Sequence, residues 1–210
     1  TYPVVIDPTI VGDKNENSVY DTYIYPEDTG VDRNNRAYLK VGVEKVNGVD
    51  VINRSLIKFD LPVLGTGSYI THAQLELTGY PDFTNSLEQD FVNIYRVTED
   101  WNESTANWNT MNNKYDSSRI EGTFESNRNY FQENGVISPF GSSTDITSLV
   151  QKWYTGTPNY GIMLKANTEQ YRTDIIPMFF SKNNTVTGDN PKPILEITYR
   201  NQNGLESYMD

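Results

Sequence analysis

The sequence predicts an all-β fold: a two-sheet antiparallel β-sandwich of jelly-roll type with one short helix. Three observations predict it. Apolar residues recur at every second position through many short runs. Gly, Asn and Pro cluster between those runs, where turns need a fixed or positive φ. No run is followed by the dozen or so helical residues that a parallel crossover needs.

Taken in order, "TYPVVIDPTI" opens the chain as a strand-like segment, so residues 1–12 read as a linker from a preceding module, 13–200 as the sandwich and 201–210 as a linker to the next. "YDTYIY" (20–25) and "AYLKVGV" (37–43) are the first strand candidates. "VNGV" follows as a hairpin turn, because Asn-Gly tolerates positive φ at both central positions. "SLIKFDL" sets Ile57, Phe59 and Leu61 on one face, and "HAQLEL" sets Ala73, Leu75 and Leu77 inward with His72, Gln74 and Glu76 outward. "FVNIYRV" (91–97), "YGIMLKA" (160–166), "IPMFFSK" (176–182) and "PILEITY" (193–199) complete the strands. Residues 111–143 have weak period and much Asn, Ser and Gly, and read as a long excursion with a small hairpin around Ile120 to Phe124. Only "DITSLVQKWYTG" predicts a helix, of two turns at most: Asp145 or Thr147 caps it, Leu149, Val150 and Trp153 form its apolar stripe, and Gly156 ends it.

Composition narrows the function. The 210 residues suffice for one sandwich core, with 15 Tyr, 8 Phe and 3 Trp supplying large apolar surfaces. A net charge of -11 repels phosphate backbones and anionic lipids, so nucleic acid is not an expected partner. No apolar run approaches the roughly 20 residues of a membrane span. Catalytic chemistry finds little support. The chain has 0 Cys, no Gly-x-Ser-x-Gly elbow, and a lone His72 on the outward face of a strand. Glu27 with Asp28 and Glu99 with Asp100 are adjacent pairs that point to opposite faces of a strand, which suits a pair of glycosidase carboxylates badly. Zinc has no ligand set here.

Calcium fits the composition better. Asp21, Asp28 and Asp32, with Glu27 and Asn34, surround the acidic stretch "YPEDTGVDRNN" and supply the oxygen ligands Ca²⁺ prefers, without EF-hand spacing. The candidate glycan-binding residues are Tyr23 and Tyr25 on one strand, and Tyr115, Arg119, Arg128 and Tyr130 in the excursion. In "WNESTANWNT" (101–110), Trp101 and Trp108 stand seven positions apart among asparagines that form helix poorly. They read as core anchors at the end of the "FVNIYRV" strand, with a sugar-stacking platform as the competing role. Glu103 is expected to take a neighbouring indole N–H or to cap the turn, and Trp153 to be buried.

The ordered blocks "DTYIYP", "YLKVG", "RSLIKFDLP", "ITHAQLELTG", "VNIYRVTEDWNESTANWN", "DITSLVQKWYTGTPNYGIMLKA", "FFSKNN" and "NPKPILEITY" span Asp21 to Tyr199. In that order and spacing they resemble the DNRLRE domain, related to carbohydrate-binding module family 96 and disaggregatase-type modules. The flanks resemble those of large bacterial Rhs or YD-repeat wall-associated proteins. The resemblance implies a secreted or cell-surface, non-catalytic module binding a polysaccharide or cell-wall glycan. A rigid spacer before a YD-repeat shell is the alternative, and a polysaccharide-degrading enzyme a minor one. No binding residue carries over from it.

Overall fold

The computed structural model describes residues 9–11, 19–27, 36–79, 90–126, 132–133, 136–137, 141–171, 176–185 and 192–201, and the structural statements below concern these alone. In chain order the elements are β1 (Thr9–Val11), β2 (Val19–Ile24), β3 (Tyr38–Lys40), β4 (Gly42–Val46), β5 (Val49–Phe59), β6 (Ser68–Thr78), β7 (Asp90–Arg96), α1 (Trp108–Met111), β8 (Gly122–Ser126), β9 (Gln132–Glu133), β10 (Val136–Ile137), β11 (Gly141–Asp145), α2 (Thr147–Tyr154), β12 (Ile162–Ala166), β13 (Met178–Phe180) and β14 (Ile194–Asn201). One sheet runs β1-β14-β6-β11. The other runs β2-β5-β12-β7-β8, with β4 also on β5. β3 pairs with β13 and β9 with β10. All pairings are antiparallel, as the alternation predicts.

The main core holds the inward residues of both sheets. Ala73, Leu75 and Leu77 of β6 and Leu195 and Ile197 of β14 cluster with Ile57 and Phe59 of β5, Ile162 and Leu164 of β12, and Val92 and Ile94 of β7. Leu61 lies just past the end of β5 and is only partly buried against this core. Asn47 (φ 52) and Gly48 (φ 82) make the Asn-Gly turn between β4 and β5. The run at 37–43 is divided into β3 and β4 around Val41, whose N–H donates to the Pro177 carbonyl (3.0 Å).

Helix α2 closes one part of the core with Leu149, Val150 and Trp153. The N-cap is Ile146, whose side chain caps nothing, in place of the expected Asp145 or Thr147. Asp145 Oδ1, one residue earlier, accepts the Thr147 N–H (2.7 Å), and the Thr147 hydroxyl accepts the Ala73 N–H of β6 (2.8 Å). Bonds from the Thr147 hydroxyl and N–H hold the Asp145 carboxyl below its ordinary value. Gly156, at φ +111, follows the helix end.

Two expectations are corrected. The excursion is partly woven into both sheets: β8 is the edge partner of β7 and β11 that of β6, and neither is a hairpin around Ile120 to Phe124. "GTFES" and "GSSTD" are mostly small and polar and carry no apolar period, and Phe124 joins β8 to the core. There is also a second helix, α1. Asn107 serves as its N-cap: the Asn107 side chain accepts the Thr110 N–H and the Thr110 hydroxyl accepts the Asn107 N–H (both 3.1 Å). The asparagine that argues against a helix interior is the residue that starts one. No helix among the described residues is long and apolar enough to cross a membrane.

Candidate functional site

Strand β5 buries residues of both parities. Leu56 and Ile57 are both fully buried, and while Ile57 enters the main core, Leu56 joins a second cluster with Ile24, Val97, Trp101, Ala106, Met111 and Met163. These residues lie on the opposite face of the six-stranded sheet, and the "WNESTANW" segment covers them. Trp101 is 7% exposed and its indole N–H donates to the Tyr160 carbonyl (2.8 Å). Glu103, expected to take an indole N–H or to cap the turn, instead accepts the Asp21 N–H (3.3 Å) and the Lys182 ammonium (2.6 Å). Trp108 is half-buried at the margin of the cluster, with the Arg54 guanidinium 4.8 Å from its ring. Trp101 is thus the anchor and Trp108 a partial one.

The turn between the two tryptophans is built from its own side chains. Asn102 Oδ1 accepts the Ser104 N–H (2.9 Å) and hydroxyl (2.5 Å), and the Asn102 carbonyl accepts the Ala106 N–H (2.8 Å). With Ala106 buried and Asn107 starting α1, the segment leaves the sheet, turns and returns within a few residues.

An open pocket of about 770 Å³ lies against this turn. Its buried lining comes from Trp101, Ala106 and Met111; its exposed rim from Asp100, Asn102, Ser104, Thr105 and Thr110. Tyr20 and Lys58, cross-strand partners on β2 and β5, complete it together with Glu103. The Lys58 ammonium meets Asp100 Oδ1 (3.0 Å) and the Trp101 carbonyl (3.3 Å), and stands 5.3 Å from the Tyr20 ring and 5.4 Å from that of Trp101. This contact is the first cause holding the Asp100 carboxyl below its ordinary value. The Tyr20 hydroxyl donates to Asp60 (3.2 Å), whose charge raises the phenol above its usual value. The site therefore offers an indole, a phenol, hydroxyls, an amide and opposed charges in one concavity.

The sequence-predicted residues fall in different places. Tyr23 stacks on Tyr25 (5.8 Å) and on Tyr38 (6.0 Å), with Arg36 4.0 Å above the Tyr23 ring. Burial pushes the Tyr23 hydroxyl well above its ordinary value. Tyr115 packs against Tyr95 (5.0 Å) beside Arg54, which forms a two-pronged ion pair with Glu169 (2.6 and 2.8 Å). Arg119 is exposed and pairs with Glu121 (3.0 Å). These groups do not line the pocket. Arg128, Tyr130, Asp28 and Asp32 lie outside the described residues. The alternation of "RSLIKFDL" could have pointed to Lys58, whose outward neighbour Leu56 is apolar. Nothing local marks Tyr20 or Asn102.

Asp21 is 1% exposed in β2. Its Oδ2 accepts the Lys182 N–H (2.7 Å), while Oδ1 has no hydrogen-bond partner. Burial, reinforced by the nearby Glu103 charge, pushes its carboxyl up to about 7 against the pull of Lys182 and Ser181. Among the described residues no three acidic or histidine side chains converge as a metal cluster.

The folded state thus binds a proton at Asp21 that the unfolded chain releases near its ordinary value of about 4, so stability falls as pH rises through that interval and levels off above about 7. Asp100, Asp116 and Asp145 are lowered and lose their contribution only in more acidic solution. In chelator, Tm should decline between about pH 5 and 7.5, and Asp21→Asn should flatten that decline. An equal slope in the variant would show that another group controls it.

A family model for carbohydrate-binding module family 96 matches residues 13–199, nearly the whole chain. The chain belongs to carbohydrate-binding module family 96. The family is one of carbohydrate-binding modules, and membership implies a binding role. The match ends within β14, and β1, at residues 9–11 and paired with β14, lies outside it. No curated protein matches the chain.

Proposed function

We propose that this family-96 module binds a glycan in the pocket formed by Tyr20, Lys58 and the 100–111 segment, as a non-catalytic part of a secreted or wall-associated bacterial multidomain protein of DNRLRE type with a YD-repeat context. The observation that carries this reading is the pocket's make-up. Its volume of about 770 Å³ falls in the range of roughly 300 to 1,000 Å³ typical of small-ligand sites. The Tyr20 ring meets the C–H face of a sugar over an apolar floor that includes the buried Trp101, and the rim hydroxyls, Asn102 and the charged groups meet its hydroxyls. α1 carries Thr110 and Met111 to the pocket and Trp108 to the Arg54–Tyr115 cluster, which supports Tyr115 as a secondary contact for a longer chain; the exposed Arg119 is proposed as another. Tyr23 and Tyr25, which lie outside the pocket, are proposed as further glycan contacts, and so are Arg128 and Tyr130.

A glycan array on the isolated module is the test. Binding to a polysaccharide or cell-wall glycan, lost in Asn102→Ala and Lys58→Ala variants that melt like the parent and with no reducing ends released, supports the reading. Silence across the array leaves the spacer role before a YD-repeat shell. Sugar release abolished by one carboxylate substitution makes the domain an enzyme.

Calcium on the stretch from Asp21 to Asn34, with Asp28 and Asp32, belongs to the same proposal. The unpartnered Oδ1 of a buried carboxyl supports it, since a divalent cation there would compensate the charge that burial disfavours. A ligand a hundredfold above its Kd adds about 2.7 kcal/mol to the native state. Tm should therefore rise in millimolar Ca²⁺ relative to chelator, and Asp28→Ala or Asp32→Ala should blunt the rise. Identical melting curves would remove the ion.

A further inference from the structure

Two lysines fasten the pocket's turn to the body of the domain, and they are not equivalent. Lys58 holds Asp100, whose side chain is 69% exposed, so water competes with that pair. Lys182 holds Glu103 at 2.6 Å, with the two side chains only 14% and 13% exposed. Glu103 reaches two separate elements: Oε2 takes the Lys182 ammonium, and Oε1 takes the backbone N–H of Asp21 in β2 (3.3 Å). Lys182 is itself held, since its N–H donates to Asp21 Oδ2 (2.7 Å) and it lies in a turn closed by the Asn184 N–H on the Ser181 carbonyl (3.1 Å). Its ammonium stands 5.4 Å from the Tyr20 ring, on which Lys58 also bears at 5.3 Å.

We propose that the Glu103–Lys182 ion pair is the positioning element of the glycan pocket, fixing where the 102–105 turn stands relative to Tyr20 and Lys58. The inference rests on the pocket reading above and adds the device that shapes it. Asn102, Ser104 and Thr105 bond to one another, which gives the turn its form but not its place over the sheet. Glu103 is the residue of that turn whose side chain reaches both β2 and the turn after β13. A charge-assisted bond shielded on both sides is stronger and more directional than the exposed Lys58–Asp100 pair. Glu103 and Lys182 are thus positioning residues, while the rim groups and Tyr20 meet the sugar.

The test reads the shape of the pocket without any ligand. The chain has 4 Met, so the Met111 methyl, in the pocket lining, can be followed by ¹³C-methionine labelling. Hydrogen exchange of the Ala106 amide, which donates to Asn102, reports the turn. Glu103→Gln keeps the acceptor for Asp21 and removes the ionic bond; Lys182→Met keeps the stem and removes the ammonium. Both should shift the Met111 methyl and speed Ala106 exchange, while the Leu164 amide of β12 stays as in the parent. The charge swap Glu103→Lys with Lys182→Glu should recover most of the shift. Unchanged Met111 and Ala106 signals in both single variants, or no recovery in the swap, would overturn the proposal. If the signals move as expected but no glycan binds the parent, the pocket reading falls and the clamp stands; glycan binding with unmoved signals sinks the clamp alone.

Discussion

Trp101→Ala is expected to cost about 3 to 5 kcal/mol of unfolding free energy, the usual loss for truncating a buried aromatic side chain. The indole is 7% exposed, seals the outer face of the sheet over Leu56 and Met163, and gives its N–H to the Tyr160 carbonyl. Its removal opens a cavity and leaves that carbonyl without its donor. Trp108→Ala should cost less than half as much, because Trp108 is half-buried at the margin of the cluster, with the Arg54 guanidinium 4.8 Å from its ring. Chemical denaturation of both variants measures the difference. Equal losses would mean that the two indoles share one structural role, and an unchanged Trp101→Ala melt would place that side chain in the glycan site instead of the core.

Gly161→Ala is the second large effect. Gly161 precedes β12 at φ +81, and a Cβ there would fall on the Ile57 carbonyl and on Lys58 Cα (2.9 Å) and Cβ (2.8 Å) of the neighbouring strand. The left-handed backbone costs roughly 1 to 2 kcal/mol in any residue with a Cβ. Forcing β5 and β12 apart costs about 1 to 3 kcal/mol more. The position is also tied at both ends: the Gly161 N–H donates to Asn159 Oδ1 (3.0 Å) and its carbonyl accepts the Val97 N–H (3.0 Å). A total of about 2 to 5 kcal/mol is therefore expected, with local disturbance next to Lys58 and so next to the pocket. Gly48→Ala, where no atom lies within 4 Å of the added Cβ, is the control and should show only the backbone cost. Equal losses in the two variants would show that the contact with β5 is not the cause.

The strands that bury a full face were legible in the sequence. β6 alternates because one side packs against the other sheet, whereas β5 also buries Leu56 on its outer face, and the Asn-Gly turn announced the β4–β5 hairpin through its backbone demands alone. Helix α2 was legible from its stripe. β8 and β11 were not, since polar edge strands owe their pairing to the neighbour they join and carry no period of their own. α1 was missed because Asn107 is a poor helix residue inside a helix and a good one at its start. The "WNESTANW" segment drew attention through its indoles, but its place over a second apolar cluster depends on Leu56 and Met163, which the alternation of their strands did not mark as a second buried face. The pocket was less legible still. Tyr20 meets Lys58 only through the β2–β5 register, and Glu103 meets Lys182 across 79 positions of the chain. Aromatic content pointed instead to Tyr23 and Tyr25, which stack with Tyr38 under Arg36.

The most direct measurement is a ¹H–¹⁵N titration of the labelled module with a glycan retained on the array. Glycan binding in the pocket predicts saturable shifts at the amides of Tyr20, Lys58, Asn102 to Ala106 and Thr110, abolished by Asn102→Ala. Shifts confined to Tyr25, Arg36 and Tyr38, with the 100–111 segment silent, would contradict it.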